Sequence, residues 1–178
     1  KQMSTQRKEG SWDMENRANT LFAGEKWLVM VGILGFLLAG VCAIYVGVYG
    51  NVVLPEGDVQ RAFSFNAAIA FFILSIAAFL PLSGLRNRNR KRRRWNFIIL
   101  TLIGYGIETI QHFRGINPRY TKVGSIIDVI VGGFFGLTSV ILIVVTVQLA
   151  VAFFRKGQAT CDPLLLLGIR YAFLSTMV

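Results

Sequence analysis

The side chains with the most chemical potential lie in one short stretch of a largely apolar chain. Glu108 and Gln111 come first, Arg119 follows, and Asp128 lies nine residues further on. Two carboxylates, an amide and a guanidinium can form ion pairs with one another or bind a charged or hydroxylated group. An acid–base pair is chemically available, but no nucleophile, metal-ligand set or phosphate-binding loop accompanies it. The pattern favours a binding or structural role over catalysis, and it predicts neither a cofactor nor a metal.

The composition indicates an integral membrane protein built from helices. The chain has 178 residues, of which 54% are hydrophobic and only 16% charged, and its mean hydropathy is +0.56. A water-soluble domain of this length carries more charge and shorter apolar runs. Several apolar runs approach the roughly 20 residues that cross a hydrocarbon core about 30 Å thick. We therefore predict an all-α transmembrane bundle of four to five spans.

A basic block, residues 86–94, predicts how the bundle is oriented. It contains seven Lys or Arg residues and separates two apolar runs. Because Lys and Arg next to a span are retained in the cytoplasm, the block and the N-terminus are predicted to lie inside and the loop 114–122 outside. The net charge of +10 is then explained by attraction to anionic headgroups. Nucleic-acid binding is not expected, because no aromatic side chains are interleaved with the charges.

The chain divides into three predicted parts. Residues 1–26 form a cytoplasmic N-terminal segment, residues 27–156 a four-helix transmembrane domain, and residues 157–178 the start of a possible fifth helix. The four spans are predicted at 27–50, 62–80, 95–113 and 123–154. Asp162 followed by Pro163 is typical of a helix start, with Asp as the N-cap and Pro at the first helical position.

Small residues at four-residue spacing predict faces for close helix packing, because they let backbones approach where lipid supplies no hydrophobic drive. They are Gly35, Ala39, Ala43 and Gly47 in the first span, and Gly132 and Gly136 in the fourth. The two cysteines, Cys42 and Cys161, have no metal-ligand spacing and are interpreted as structural or incidental.

Glu108 and Asp128 are predicted to lie at the same depth. Each is about five residues from the outer end of its span, which corresponds to roughly 7–8 Å at 1.5 Å per residue. Arg119 is placed to pair with either carboxylate, with Gln111 beside them and His112 at the interface. Two interpretations stay open: an ion network that holds a helical hairpin together, or a polar pocket that opens outward and binds a headgroup.

The same residues carry a resemblance to a known family. Glu108-x-x-Gln111, then Arg119, then Asp128-x-x-x-Gly132-x-x-x-Gly136 resembles the signature of the VanZ-like membrane proteins. Gly57-Asp58 resembles the Gly-Asp that precedes the corresponding helix there, and the resemblance covers about residues 55–145. Two departures concern a histidine, absent here where Ala62 and Phe63 stand, and an asparagine, replaced by Val131 or Gly132.

The resemblance implies a multi-pass protein of the bacterial cytoplasmic membrane with a role in the cell envelope. The best-known relative confers low-level resistance to glycopeptide antibiotics, notably teicoplanin. A lipid-linked envelope precursor or a glycopeptide is then the expected ligand, with membrane lipids and partner helices as neighbours. The alternative is a structural or accessory subunit of a larger membrane complex. A small transporter is disfavoured, because the chain shows no internal repeat and no helices broken by Gly or Pro in matching halves.

Overall fold

The computed structural model describes Phe22, residues 24–155 and residues 163–177, and these residues are mainly helical. The helices are α1 (Lys26–Tyr49), α2 (Val59–Phe79), α3 (Asn87–Phe113), α4 (Ile126–Phe154) and α5 (Pro163–Met177). Two short antiparallel strands, β1 (Val52–Val53) and β2 (Gly57–Asp58), form a hairpin between α1 and α2. A 3-10 turn (Leu80–Ser83) follows α2. Most of the predicted N-terminal segment, together with Cys161 and the predicted N-cap Asp162, lies outside the described residues.

Three elements of the described chain are long and apolar enough to cross a membrane. They are α1, α2 with its 3-10 turn, and α4, with 24, 25 and 29 residues. The predicted span at 95–113 lies in α3, which is not among the three and which carries Glu108, Gln111 and His112 in its apolar half. The last apolar helix is shorter (Pro163–Ser175). The fold is thus compatible with a multi-pass membrane protein, as predicted, while the number of spans and the side of the N-terminus stay predictions.

Side-chain caps explain where α2 and α4 begin. Asp58 Oδ1 accepts a hydrogen bond from the Gln60 backbone N–H at 3.1 Å, so α2 begins at Val59, three residues before the predicted position. Ser125 and Asp128 form a capping box, in which each side chain bonds the backbone N–H of the other. Helix α4 therefore begins at Ile126 rather than at 123.

The basic block is the first part of α3 rather than a loop, and part of it faces the bundle. Arg90 and Arg94, one turn apart, contact the fully buried carboxylate of Glu25, with Arg90 Nε 2.6 Å from Oε1 and Arg94 Nε 2.5 Å from Oε2. The hydrogen bond to Glu25 raises the pKa of the Arg94 guanidinium above its usual value. In the sequence, Glu25 belongs to the polar N-terminal segment and directly precedes an apolar run. That position places it at the same end of the bundle as the basic block, which is the sequence signal for an ion pair between them.

Two further polar contacts hold the same end of the bundle. Arg93 Nη1 donates to Gln148 Oε1 at 3.3 Å, which joins α3 to α4. Arg170 of α5 donates from Nε to the Phe153 carbonyl at 2.9 Å and lies over the Phe154 ring. Arg170 therefore satisfies a carbonyl at the end of α4, where helix carbonyls have no partner within the helix.

The packing face of α1 is only partly the predicted one. Gly35 and Ala39 are buried, and a side chain on Gly35 would collide with the Tyr105 hydroxyl. Ala43 and Gly47 are exposed, and an added methyl group on Gly47 would meet nothing. A four-residue step turns a helix by about 40° more than a full turn, so a strict four-residue stripe rotates off the contact face. Cys42 occupies that face instead.

The two glycines predicted as a packing pair in the fourth span, Gly132 and Gly136, also differ in how closely other residues approach them. A side chain on Gly132 would lie 2.7 Å from the Pro118 carbonyl oxygen, so this glycine lets the loop before α4 approach the helix. Gly136 has open space beside it within the described chain. Neither glycine brings two described helices together.

Candidate functional site

The hairpin packs onto the C-terminal end of α3, and two glycines make the contact possible. A side chain on Gly57 would collide with the His112 carbonyl, and one on Gly115 with the Leu54 carbonyl. Gly115 also has a φ of +74°, a conformation that residues with a Cβ rarely adopt. The Glu56 N–H donates to the Gly115 carbonyl at 2.8 Å. We call this assembly of residues 51–58, the last two turns of α3 and residues 114–125 the polar end.

Glu56 fastens the loop before α4 to the hairpin. Its Oε2 accepts from the Thr121 hydroxyl at 2.9 Å, and its Oε1 accepts from the Lys122 backbone N–H at 3.0 Å. Because the Glu56 carboxylate accepts a hydroxyl and a backbone N–H, it restrains the loop and leaves the nearby guanidinium groups to other carboxylates. The polar end is therefore a connected structure rather than a set of independent loops.

Glu108 and Arg119 form an ion pair, which is one of the two pairings that the sequence left open for Arg119. Arg119 Nη2 lies 3.0 Å from Glu108 Oε1, and the Glu108 side chain is fully buried whereas 37% of the Arg119 side chain is exposed. The second oxygen, Oε2, is buried and has no hydrogen-bond partner among the described residues. Glu108 thus fixes one side of the Arg119 guanidinium and leaves the rest of it accessible.

His112, expected at the interface, is fully buried beside this pair. Its Nδ1 accepts the backbone N–H of Asp58 at 3.0 Å, so in the neutral ring the proton is on Nε2. Nε2 faces Glu108 Oε1 at 3.4 Å. His112 therefore bonds the hairpin through Nδ1 and lies against the buried carboxylate, while its Nε2 has no hydrogen-bond partner among the described residues.

Asp128 belongs to a second, separate ion pair. Its Oδ1 accepts from Arg114 Nη1 at 2.8 Å and from Gln111 Nε2 at 3.1 Å. Its Oδ2 accepts from the backbone N–H and the hydroxyl of Ser125, at 2.9 and 2.8 Å. Both oxygens of this buried carboxylate are therefore used within the fold.

Of the two carboxylates predicted to be within reach of Arg119, the structure pairs it with Glu108 and not with Asp128. The partner of Asp128 is Arg114, which sequence analysis treated only as a loop charge. Arg114 Nη1 also lies 2.7 Å from Gln111 Oε1. The three-residue spacing of Gln111 and Arg114 indicates that their side chains lie on the same helix face and can act together, because residues so spaced are neighbours on a helix. Asp128 also lies in the first turn of α4 rather than one turn deeper.

A polar pocket of about 550 Å³ opens beside the Glu108–Arg119 pair. It is lined by Asp58, Gln60, Arg61, Ser64, Phe65 and Arg119. Of the predicted ligand-binding residues, only Arg119 lines this pocket, whereas Glu108, Gln111 and Asp128 are buried and do not line it. The remaining wall comes from the first turns of α2, which sequence analysis had not connected with the site.

Arg61 is a candidate site residue that the sequence patterns did not indicate. Half of its side chain is exposed, and its Nε lies 3.2 Å from Asp58 Oδ2, three residues earlier. Asp58 is thus the cap of α2 and also the group that holds Arg61. An acid followed three residues later by a base at a helix start was the available signal.

The chemistry available in the pocket is the recognition of an anion. Arg61 and Arg119 each direct one N–H to a carboxylate, whereas a guanidinium has five. The remaining donors suit a planar or tetrahedral oxyanion, which guanidinium groups bind in a bidentate manner. Among the described residues, no group of three or more His, Cys, Asp or Glu side chains could hold a metal ion.

Comparison with known proteins found no match for this chain. No family model matches the chain, and no curated protein or solved structure matches it either.

Proposed function

We propose that this chain is a multi-pass protein of the bacterial cytoplasmic membrane, with four to five spans and a cytoplasmic N-terminus. Three apolar helices of sufficient length support membrane insertion. Helix α3 carries the basic block at its start and the polar end at its finish. Because basic clusters are retained in the cytoplasm, this direction supports a polar end on the outer face.

The polar pocket is the binding site in this proposal, and its ligand is an anionic component of the cell envelope. The observation that carries it is the pair of partly exposed guanidinium groups, Arg61 and Arg119, each held by one carboxylate and facing the same open pocket. Such an arrangement fixes the donors before a ligand arrives, which lowers the entropy cost of binding. Glu108 and Asp128 then support the site and do not contact the ligand.

The biological consequence that we propose is altered susceptibility to glycopeptide antibiotics such as teicoplanin, as the resemblance to VanZ-like proteins implies. A protein that holds an envelope precursor or the antibiotic itself at the outer face would change how much of either is free to react. The residues that carry the resemblance support this view, since Glu108 and Arg119 shape the pocket and Gly57-Asp58 begins its wall.

Expression in a susceptible bacterial host tests this function. The wild-type chain should raise the minimal inhibitory concentration of teicoplanin several-fold, and Arg61→Gln should abolish the increase because half of the anion-binding donors are lost. Arg88→Gln is the matched control, since it removes an exposed arginine from the basic block, far along the chain from the pocket. Resistance that survives in folded, membrane-inserted Arg61→Gln protein would contradict a binding role for the pocket. No increase with the wild-type chain would contradict the link to glycopeptides.

The second candidate function is an accessory subunit of a larger membrane complex. The observation that favours it is the exposed small-residue face of α1, where Gly40 and Gly47 have no neighbour within the described chain. Small residues on an open face suit a helix from another protein. A mass in mild detergent equal to that of one chain would argue against an obligate subunit.

A further inference from the structure

The polar pocket adjoins an apolar groove between α2 and α4. Phe65 lines the polar pocket and also an adjoining cavity of about 210 Å³. That cavity shares Ile69, Leu142 and Ile143 with a larger one of about 560 Å³, which reaches Phe72 and Thr146. We call these six residues the lining of the α2–α4 groove. The shared residues show that the pocket and the groove adjoin one another at Phe65.

The groove has the length of one lipid leaflet. Arg61 and Phe72 are eleven residues apart on α2, which corresponds to about 16 Å at 1.5 Å per residue. Half of a hydrocarbon core of about 30 Å is a similar distance. A molecule with its charged group at Arg61 would therefore extend along the groove to about the middle of the membrane.

The groove is apolar and open to the side. The hydroxyls of Ser139 and Thr146 donate to carbonyls one turn earlier in α4, at 3.0 and 2.8 Å, so neither requires a polar partner from a ligand. Ile143 is 62% exposed. In a membrane this opening faces the acyl chains of the surrounding lipid, so a chain can enter laterally.

The charge at the pocket suits a single negative charge. Two arginines face the pocket, and each is paired with one carboxylate, Arg61 with Asp58 and Arg119 with Glu108. The four groups sum to a net charge of zero, so the two carboxylates prevent an excess of positive charge at the pocket. A phosphodiester, which carries one negative charge and several acceptor oxygens, matches these walls better than a dianion does.

We infer that the ligand is an anionic phospholipid-type amphiphile, with its phosphodiester between Arg61 and Arg119 and an acyl chain in the α2–α4 groove. The inference rests on the proposed binding role of the pocket and adds the chemical class of the ligand. A water-soluble phosphate compound would use the pocket alone and leave about 16 Å of apolar groove without a function.

Native mass spectrometry of the full chain in mild detergent tests this assignment. The probes are phosphatidylglycerol, phosphatidylcholine with the same acyl chains, and glycerophosphoglycerol, which is the deacylated headgroup of the first. We expect retention of phosphatidylglycerol at least several-fold above phosphatidylcholine, because the choline ammonium cancels the charge that the arginines recognise. Glycerophosphoglycerol should not be retained at the same concentration, because it lacks the chains.

Two tryptophan variants separate the groove from the rest of the helix surface. Ile143→Trp fills the groove and should reduce bound phosphatidylglycerol several-fold. Val144→Trp is the matched control, since Val144 is the next residue, is also exposed and lines neither groove cavity, so it should bind like the wild type. Thermal unfolding identifies a variant that fails to fold. In that case Ile143→Phe takes the place of Ile143→Trp.

The outcomes distinguish the lipid inference from the function on which it rests. Equal binding of glycerophosphoglycerol and phosphatidylglycerol, with no effect of Ile143→Trp, would overturn the lipid inference but keep an anion site at the pocket. Equal retention of phosphatidylcholine would overturn recognition of charge. If the wild-type protein binds none of the three probes, both proposals are overturned.

Discussion

Glu25→Ala should destabilise the folded protein by about 3 kcal/mol. The reason is that Glu25 is fully buried and compensates both Arg90 and Arg94, whose side chains are only 21% and 19% exposed. Removing one partner of a buried ion pair leaves the other charge in a poorly hydrated site. The expected value lies at the lower end of the usual range because both arginines keep some contact with solvent. Unfolding of the purified protein in detergent, followed by circular dichroism, gives the change in stability.

A double variant provides the control for Glu25. Glu25→Ala combined with Arg94→Leu should recover part of the lost stability, since the second change removes the guanidinium that donates twice to Glu25. Arg92→Ala, at an exposed position of the same block, should change stability little. An unfolding midpoint for Glu25→Ala equal to that of Arg92→Ala would contradict a structural role for this ion pair.

Asp128→Asn should cause a similarly large loss of folded protein. The Asp128 carboxylate accepts four hydrogen bonds, from Gln111, Arg114 and two groups of Ser125. An asparagine can offer only one oxygen to these donors, and its NH₂ group would face the other set. A buried donor that meets another donor loses its hydrogen bond and is not rehydrated. Membrane yield and the unfolding midpoint in detergent measure the effect.

Ser125→Ala is the graded control for Asp128→Asn. It removes one hydroxyl donor and the acceptor of the Asp128 N–H but leaves the Arg114 contact, so its effect should be clearly smaller. A well-folded Asp128→Asn protein that does not confer the proposed resistance would instead favour a direct role of Asp128 in ligand binding.

The Glu108–Arg119 pair could be predicted from the sequence, because a buried carboxylate needs a nearby cation and the connecting loop is short. The choice between two cations could not. Arg114 and Arg119 both lie between α3 and α4, and which one reaches Asp128 depends on how the hairpin turns the loop. That turn requires Gly57 and Gly115 to meet, although they are far apart in the sequence.

The pocket depends on a contact that local sequence patterns do not reveal. One wall belongs to the start of α2 and the other to the loop before α4, so Arg61 and Arg119 come together only after the bundle has formed. The basic block shows the same limit, because the seven charges predict an orientation but not that Arg90 and Arg94 turn inward to Glu25. Helix boundaries were easier to predict, since apolar runs are local, and the errors of a few residues arose from the caps Asp58 and Ser125.

The most direct test of the central claim is an experimental structure of the full chain in lipid nanodiscs that contain phosphatidylglycerol. The account predicts density for a phosphate group within about 3 Å of the guanidinium nitrogens of both Arg61 and Arg119. It also predicts a continuous tube of density for an acyl chain past Phe65 and Ile143. A pocket filled only by water, with ordered lipid bound elsewhere on the bundle, would contradict the assignment of the pocket and groove as the ligand site.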